Sequence, residues 1–375
     1  MSNTFWNSFT VFVNSMFDEQ ANVDPSANDD EEFRIALKNG NIAVVDRLLQ
    51  DGRVDPSTND NFAIQLASEN GHIAVVDRLL QDGRVDPSAN DNIAIRWASE
   101  NGHIAVVDRL LQDGRVDPSA NDNIAIRWAS ENGHIAVVDR LLQDDRTDPS
   151  ADNNSAICMA SYYGHIAVVD RLLQDGRVDP SDENNLAIRQ ASLNGHIAVV
   201  ERLLQDRRVD PYADNNSAIR WASYNGQITV VDRLLQDGRV DPSTDDNYAI
   251  RYASRNGHGD VVDRLLQEDR SRVDPSANNN EAIRLASEKG HIAVVDRLLQ
   301  DGRVDPYADN NYAIRYASRN GHIAVVDRLL QEDRSIVDPS AINNSAIQIA
   351  SSNGHIARLK QEDTSCVLTK LDIQT

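Results

Sequence analysis

The feature that most constrains this chain is that it copies itself. One glycine column recurs eleven times between Gly40 and Gly354, at intervals of 31 residues except for two of 33 (Gly257 to Gly290 and Gly321 to Gly354). The stretches His72–Gly102 and His103–Gly133 are identical throughout. Such self-similarity overrides any domain count taken from a length of 375 residues, because each copy is one supersecondary unit stacked on the next. The two long intervals carry the phrases "LLQEDRSRVDP" (Leu265 to Pro275) and "LLQEDRSIVDP" (Leu329 to Pro339) in place of the usual "LLQDGRVDP". Both additions fall between the Leu-Leu and the Val-Asp-Pro, so the unit stretches in its connector, where insertion is cheap.

Each unit reads as two short helices. In the fourth, Asp122 and Asn123 are N-cap types, and Ala125, Ile126 and Ala129 follow on one apolar face. Gly133 can take positive φ, stop the helix and let the chain reverse. A second helix, "HIAVVDRLLQ", then places Ile135, Val137, Val138, Leu141 and Leu142 on a broad apolar stripe. All 11 prolines follow an aspartate in the connector, and each blocks helix continuation. Neither helix can bury its stripe alone, whereas stacked copies can. The expected fold is all-α, a helix-turn-helix solenoid of eleven stacked repeats over residues 31–360. A capping segment (1–30) precedes it and a tail or cap (361–375) follows.

The unit "AIRWASENGHIAVVDRLLQDG" resembles the ankyrin repeat in a short 31-residue variant. Ala94, Ile95, Ala98, Gly102, His103, Val106, Val107, Leu110, Leu111 and Gly114 carry the likeness. It departs from that family where Ile93-Ala94-Ile95-Arg96 replaces a Thr-Pro-Leu-His tetrapeptide, which removes the hydrogen bonds that tie such units together. The shorter connector leaves open whether a β-hairpin forms. In style, the near-identical copies also resemble ankyrin proteins of large DNA viruses of amoebae. The resemblance implies a non-enzymatic scaffold that binds a protein partner through the first helices and loops.

Composition narrows the alternatives. A formal charge of -22 repels phosphate backbones, so no nucleic acid is expected. Cys158 and Cys366 match no metal or redox spacing, which fits a reducing, intracellular and cytoplasmic setting (host cytoplasm if viral). No membrane span and no basic leader are evident, and a monomer is expected. The nine histidines share the column after the glycine, with Gln227 once in their place. Helices pack about 8–10 Å apart, too far for consecutive imidazoles to share an ion, so no metal or cofactor is expected. The Asp-Arg pair of every "VVDRLL", as in Asp108-Arg109, reads as local ion pairs on solvated faces. Repeated acids and bases on a repeated surface form no converging catalytic constellation.

Function is sought where the copies differ. Three columns of the first helix vary, at i, i+4 and i+7, and therefore share a face. The middle column (Trp97, Met159, Trp221, Tyr252) is large and apolar, as for packing one repeat on the next. The last shifts from Glu69, Glu100 and Glu131 through Tyr162, Leu193 and Tyr224 to Arg255 and Arg319. With Tyr248 and Tyr312 of the first column, Tyr162, Leu193, Tyr224, Arg255 and Arg319 are the candidate partner-binding residues, since aromatics and arginine anchor interfaces. Arg96 and its column-mates are weighed between a positive stripe and local pairs such as Arg96 with Glu100. Phe5, Phe9, Phe12 and Met16 form an uncharged amphipathic stripe suited to capping the first unit, the alternative being a membrane-surface or partner-binding helix, which the missing Lys and Arg disfavour. The competing reading is a self-associating structural spacer or virion component.

Overall fold

The computed structural model describes residues 25–332. The stripe of Phe5, Phe9, Phe12 and Met16, the eleventh repeat and the tail at 361–375 lie outside the described residues. Within the described span, 20 helices form ten hairpins, from α1 (Pro25–Asn39) with α2 (Ile42–Gln50) to α19 (Ala308–Arg319) with α20 (Ile323–Leu330). No strand occurs among the described residues, so the connectors there make no β-hairpin. Two compact units divide the chain, residues 1–125 and 126–375. Within each, first helices pack on first helices and second helices on second helices.

The invariant columns make the core. In the hairpin of α11 (Asp182–Asn194) and α12 (Ile197–Leu204), Ala187, Ile188 and Ala191 of the first helix are fully buried. So are Val199, Val200 and Leu203 of the second. Each large side chain among them contributes about 1.5–3 kcal/mol by leaving water, but only when neighbouring repeats cover it. Two alanines in the first helix let adjacent copies approach closely.

The glycine and histidine columns work as one device. Gly164 sits at φ +82°, and the His196 ring of the next repeat lies against it. A Cβ there would stand 2.5 Å from His196 Nδ1. That close seat lets His196 Nε2 donate to the carbonyl of Tyr162 at 2.9 Å. Gln227 repeats the bond to the carbonyl of Leu193 at 3.4 Å. The histidine side chains thus reach back to the preceding repeat and do not cap their own helix.

One expectation fails at the start of the first helix. Asp122 and Asn123 are not caps: Asn121, Asp122 and Asn123 all lie in the left-handed region, at φ 53°, 53° and 57°. Nine described repeats carry the same left-handed triplet. In Asn90-Asp91-Asn92 a bond from the Asn92 N–H to the Ser88 carbonyl at 2.9 Å closes the turn. Left-handed backbone costs most L-residues about 1–2 kcal/mol each, and asparagine and aspartate bear it best. Glu183 is the sole other residue type in any of these triplets.

Two columns hold that turn. Arg220 donates from Nε to the Asn215 carbonyl at 2.9 Å and from Nη2 to the Asp214 carbonyl at 3.1 Å. Arg251 does the same with Asp246 and Asp245, both at 2.8 Å. The third residue of the triplet, always asparagine, points its oxygen at the next connector. Asn185 Oδ1 accepts the Asp210 N–H at 2.7 Å, and Asn216 Oδ1 the Asp241 N–H at 2.8 Å.

Connectors and second helices add further ties between repeats. Arg208 clamps Asp206 and reaches the Val178 carbonyl of the preceding repeat at 2.7 Å. In the long connector Arg272 keeps this reach, to the Val240 carbonyl at 2.8 Å, while its ion pair moves to Glu268. The Asp-Arg pair of "VVDRLL" also acts between repeats: Arg202 meets Asp170 at 2.6 Å and Arg264 meets Asp232 at 2.6 Å. This corrects the expectation of purely local pairs.

Candidate functional site

The first helices of residues 126–375 bring most of the expected candidates onto one surface. Tyr248 and Tyr252 stack on α15 (Thr244–Asn256) with centroids 4.0 Å apart, as the i, i+4 spacing requires. Tyr224 of the preceding helix stands 6.0 Å from Tyr252 and 6.1 Å from Trp221, so the row continues from repeat to repeat. Tyr312 and Tyr316 repeat the 4.0 Å stack on α19. Arg220 lies 5.2 Å over the Tyr248 ring and Arg284 5.0 Å over that of Tyr312. These cation–π contacts fix the rings from behind.

The candidates differ in availability. Tyr162 is 39% exposed and meets Tyr163 edge-on at 4.8 Å. Leu193, Tyr224, Tyr248, Arg255 and Tyr312 are half-buried, and Arg319 is exposed. Tyr312 donates its hydroxyl to Glu288 Oε2 at 2.6 Å; burial and this carboxylate push its pKa up to about 12. In the middle column Met159 and Trp221 each remain 38% exposed, whereas Leu66 is buried and Trp97, Trp128 and Tyr252 are half-buried. Tyr163, outside the three variable columns, is 46% exposed. It stands where most copies have asparagine before the glycine, and that departure was its signal.

Charge on this face is settled by partners. Arg189 meets Asp214 at 2.8 Å, Arg220 meets Asp245 at 3.3 Å, and Arg251 pairs with Glu281. Most of the Arg96 column is thereby tied into the fold, to the next repeat's left-handed turn. Arg255 and Lys289 differ. They line an open groove of about 590 Å³ together with Tyr224, His258 and His291. Arg255 lies 5.6 Å over the Tyr252 ring and has no carboxylate partner among the described residues. Lys289 likewise stands outside the three variable columns and replaces the usual asparagine.

The hairpin stack, with its Gly-His contacts, accords with a family comparison. The family model for ankyrin repeats matches residues 33–122, 126–216 and 219–310. The chain belongs to the ankyrin-repeat family. No curated protein matches it. Ankyrin repeats generally mediate protein–protein interaction, and ankyrin-repeat proteins are typically non-enzymatic scaffolds. In this ankyrin array the Asn-to-Asp bonds tie each left-handed turn to the next connector. No helix among the described residues is long and apolar enough to cross a membrane. No group of three or more His, Cys, Asp or Glu there could hold a metal ion. Cys158 is buried, and burial pushes its thiol up to about 12, far from a reactive thiolate at neutral pH.

Proposed function

We propose that this ankyrin chain is an interaction scaffold that captures a protein partner on the first-helix face within residues 126–375. The observation that carries this reading is the aromatic row, in which Tyr162 and Trp221 are exposed and the other tyrosines half-buried. Tyr162, Trp221, Tyr224, Tyr248, Tyr252, Tyr312 and Tyr316 stand on a face whose buried back hardly changes. Pre-oriented rings lose little side-chain freedom on binding, which is why tyrosine and tryptophan serve as anchors. The near-copy style suggests a host-cell protein as partner, in the cytoplasm.

The test is a pull-down with mass spectrometry, comparing the native chain with one in which Tyr162, Leu193, Tyr224, Arg255 and Arg319 are changed to glutamate. Loss of specific partners is expected. Unchanged capture removes these residues from the site. The identity of His72–Gly102 with His103–Gly133 favours a second reading, a self-associating structural spacer in which copies matter more than surfaces. Concentration-dependent assembly of the purified chain, followed by light scattering, would favour that reading.

A further inference from the structure

We infer that the groove lined by Tyr224, Arg255 and Lys289 receives a carboxylate-rich segment of a protein partner, an assignment that rests on the interaction reading of the variable face. Three observations converge on it. First, two independent columns turn basic at this place. Arg255 occupies the column held by Glu69, Glu100 and Glu131, and Lys289 the column held by Asn70, Asn101 and Asn132. The two substitutions stand in adjacent repeats and line one groove.

Second, these charges are not consumed by the fold. The arginines at 189, 220 and 251 grip carbonyls of their own left-handed turns and carboxylates of the next repeat. Arg255 instead rests over Tyr252, held in place with its charge unneutralised by any carboxylate among the described residues. Lys289 has only a 3.5 Å contact with Glu288, whose other oxygen accepts from Tyr312. Third, Lys289 lies near enough to act on the His291 imidazole of the same groove. His291 is held below its ordinary value first by burial, against a hydrogen bond to the Arg255 carbonyl, and further by the charges of His258, His322 and Lys289.

A short acidic segment fits this setting better than a polyanion does. The chain's -22 charge opposes a long run of phosphates, whereas a few carboxylates meet the local cations within a screening length of about 10 Å. Tyr224 on the groove wall adds a ring for an aromatic or aliphatic neighbour of those carboxylates.

Fluorescence anisotropy on the full chain tests this with two labelled peptides of equal length, one alternating Glu and Tyr, the other Gln and Tyr. The Glu/Tyr peptide should bind at least about tenfold tighter, a difference that shrinks as salt rises from about 0.05 to about 0.5 M. Arg255→Glu and Lys289→Asn should each weaken it about tenfold. Both place in the groove a residue that the same column already carries elsewhere, so folding is preserved, which circular dichroism would verify. Lys38→Glu, in the Arg255 column but among residues 1–125, should change nothing. Equal binding of the two peptides, no binding at about 1 mM, or indifference to both groove variants overturns the assignment. So does self-association of the chain that Arg255→Glu abolishes. If the pull-down partners are lost on the aromatic variant while the peptides are not told apart, the interaction reading stands and only the acidic partner falls.

Discussion

At the scale of single residues, eight members of one serine column stand out for what they lack. Ser68, Ser99, Ser130, Ser161, Ser192, Ser223, Ser254 and Ser287 are fully buried, and none of their hydroxyls has a hydrogen-bond partner. An unmet buried hydroxyl costs about 1–3 kcal/mol, and alanine also favours helix. Ser192→Ala should therefore stabilise the chain by about 1 kcal/mol, read as a higher urea midpoint. Changing several of these serines should add nearly independently, since they sit in separate repeats. Nothing in the sequence marks this column as a weakness: a constant Ala-Ser pair looks like any small-residue helix contact. Its cost is visible only once the neighbouring helix closes over it.

At the scale of elements, the ladder of second-helix ion pairs has one gap. Glu201 replaces the usual aspartate, and no ion pair joins it to Arg233 among the described residues. Glutamate is one methylene longer than the aspartates at 170 and 232 that do meet their arginines. Glu201→Asp should restore the pair and add about 0.5 kcal/mol, measured by a double-mutant cycle with Arg233→Ala. The helices themselves were legible, because Val-Val and Leu-Leu spacing and the glycine stop leave little choice. The left-handed turn was not. Asn-Asp-Asn before an apolar run reads naturally as a cap, and the signal against it is subtle: the third place is asparagine in all nine described repeats that make the turn. With that turn hidden, the arginine column had no visible partner, and a stripe or local pairs were the available readings. The variable face was legible from periodicity, but Trp221, Met159, Tyr163 and Lys289 were undervalued because each also fits a packing or turn position.

At the scale of the whole molecule, stability is a sum over neighbouring repeats, so a property present in each copy is multiplied. Acid response is one such property. Asp82, Asp113, Asp144, Asp175, Asp206 and Asp237 are each held below the usual carboxylate value of 3.8, chiefly by a hydrogen bond from the arginine two residues on. A lowered folded value means the unfolded chain binds these protons first. The stabilisation is present above pH 3.8 and disappears as pH falls through the lower folded values. A urea midpoint followed downward from about pH 6 should fall steeply only below about pH 4, and Arg208→Gln should soften that step. The left-handed triplets have a different consequence, one of chirality. A residue held near φ +55° sits where its mirror-image counterpart is at ease, and the Asn215 side chain enters no tie described above. A D-asparagine at position 215 would relieve strain there instead of creating it, so this repeat holds a place where inversion at Cα, ruinous elsewhere in a helix, leaves the stack intact.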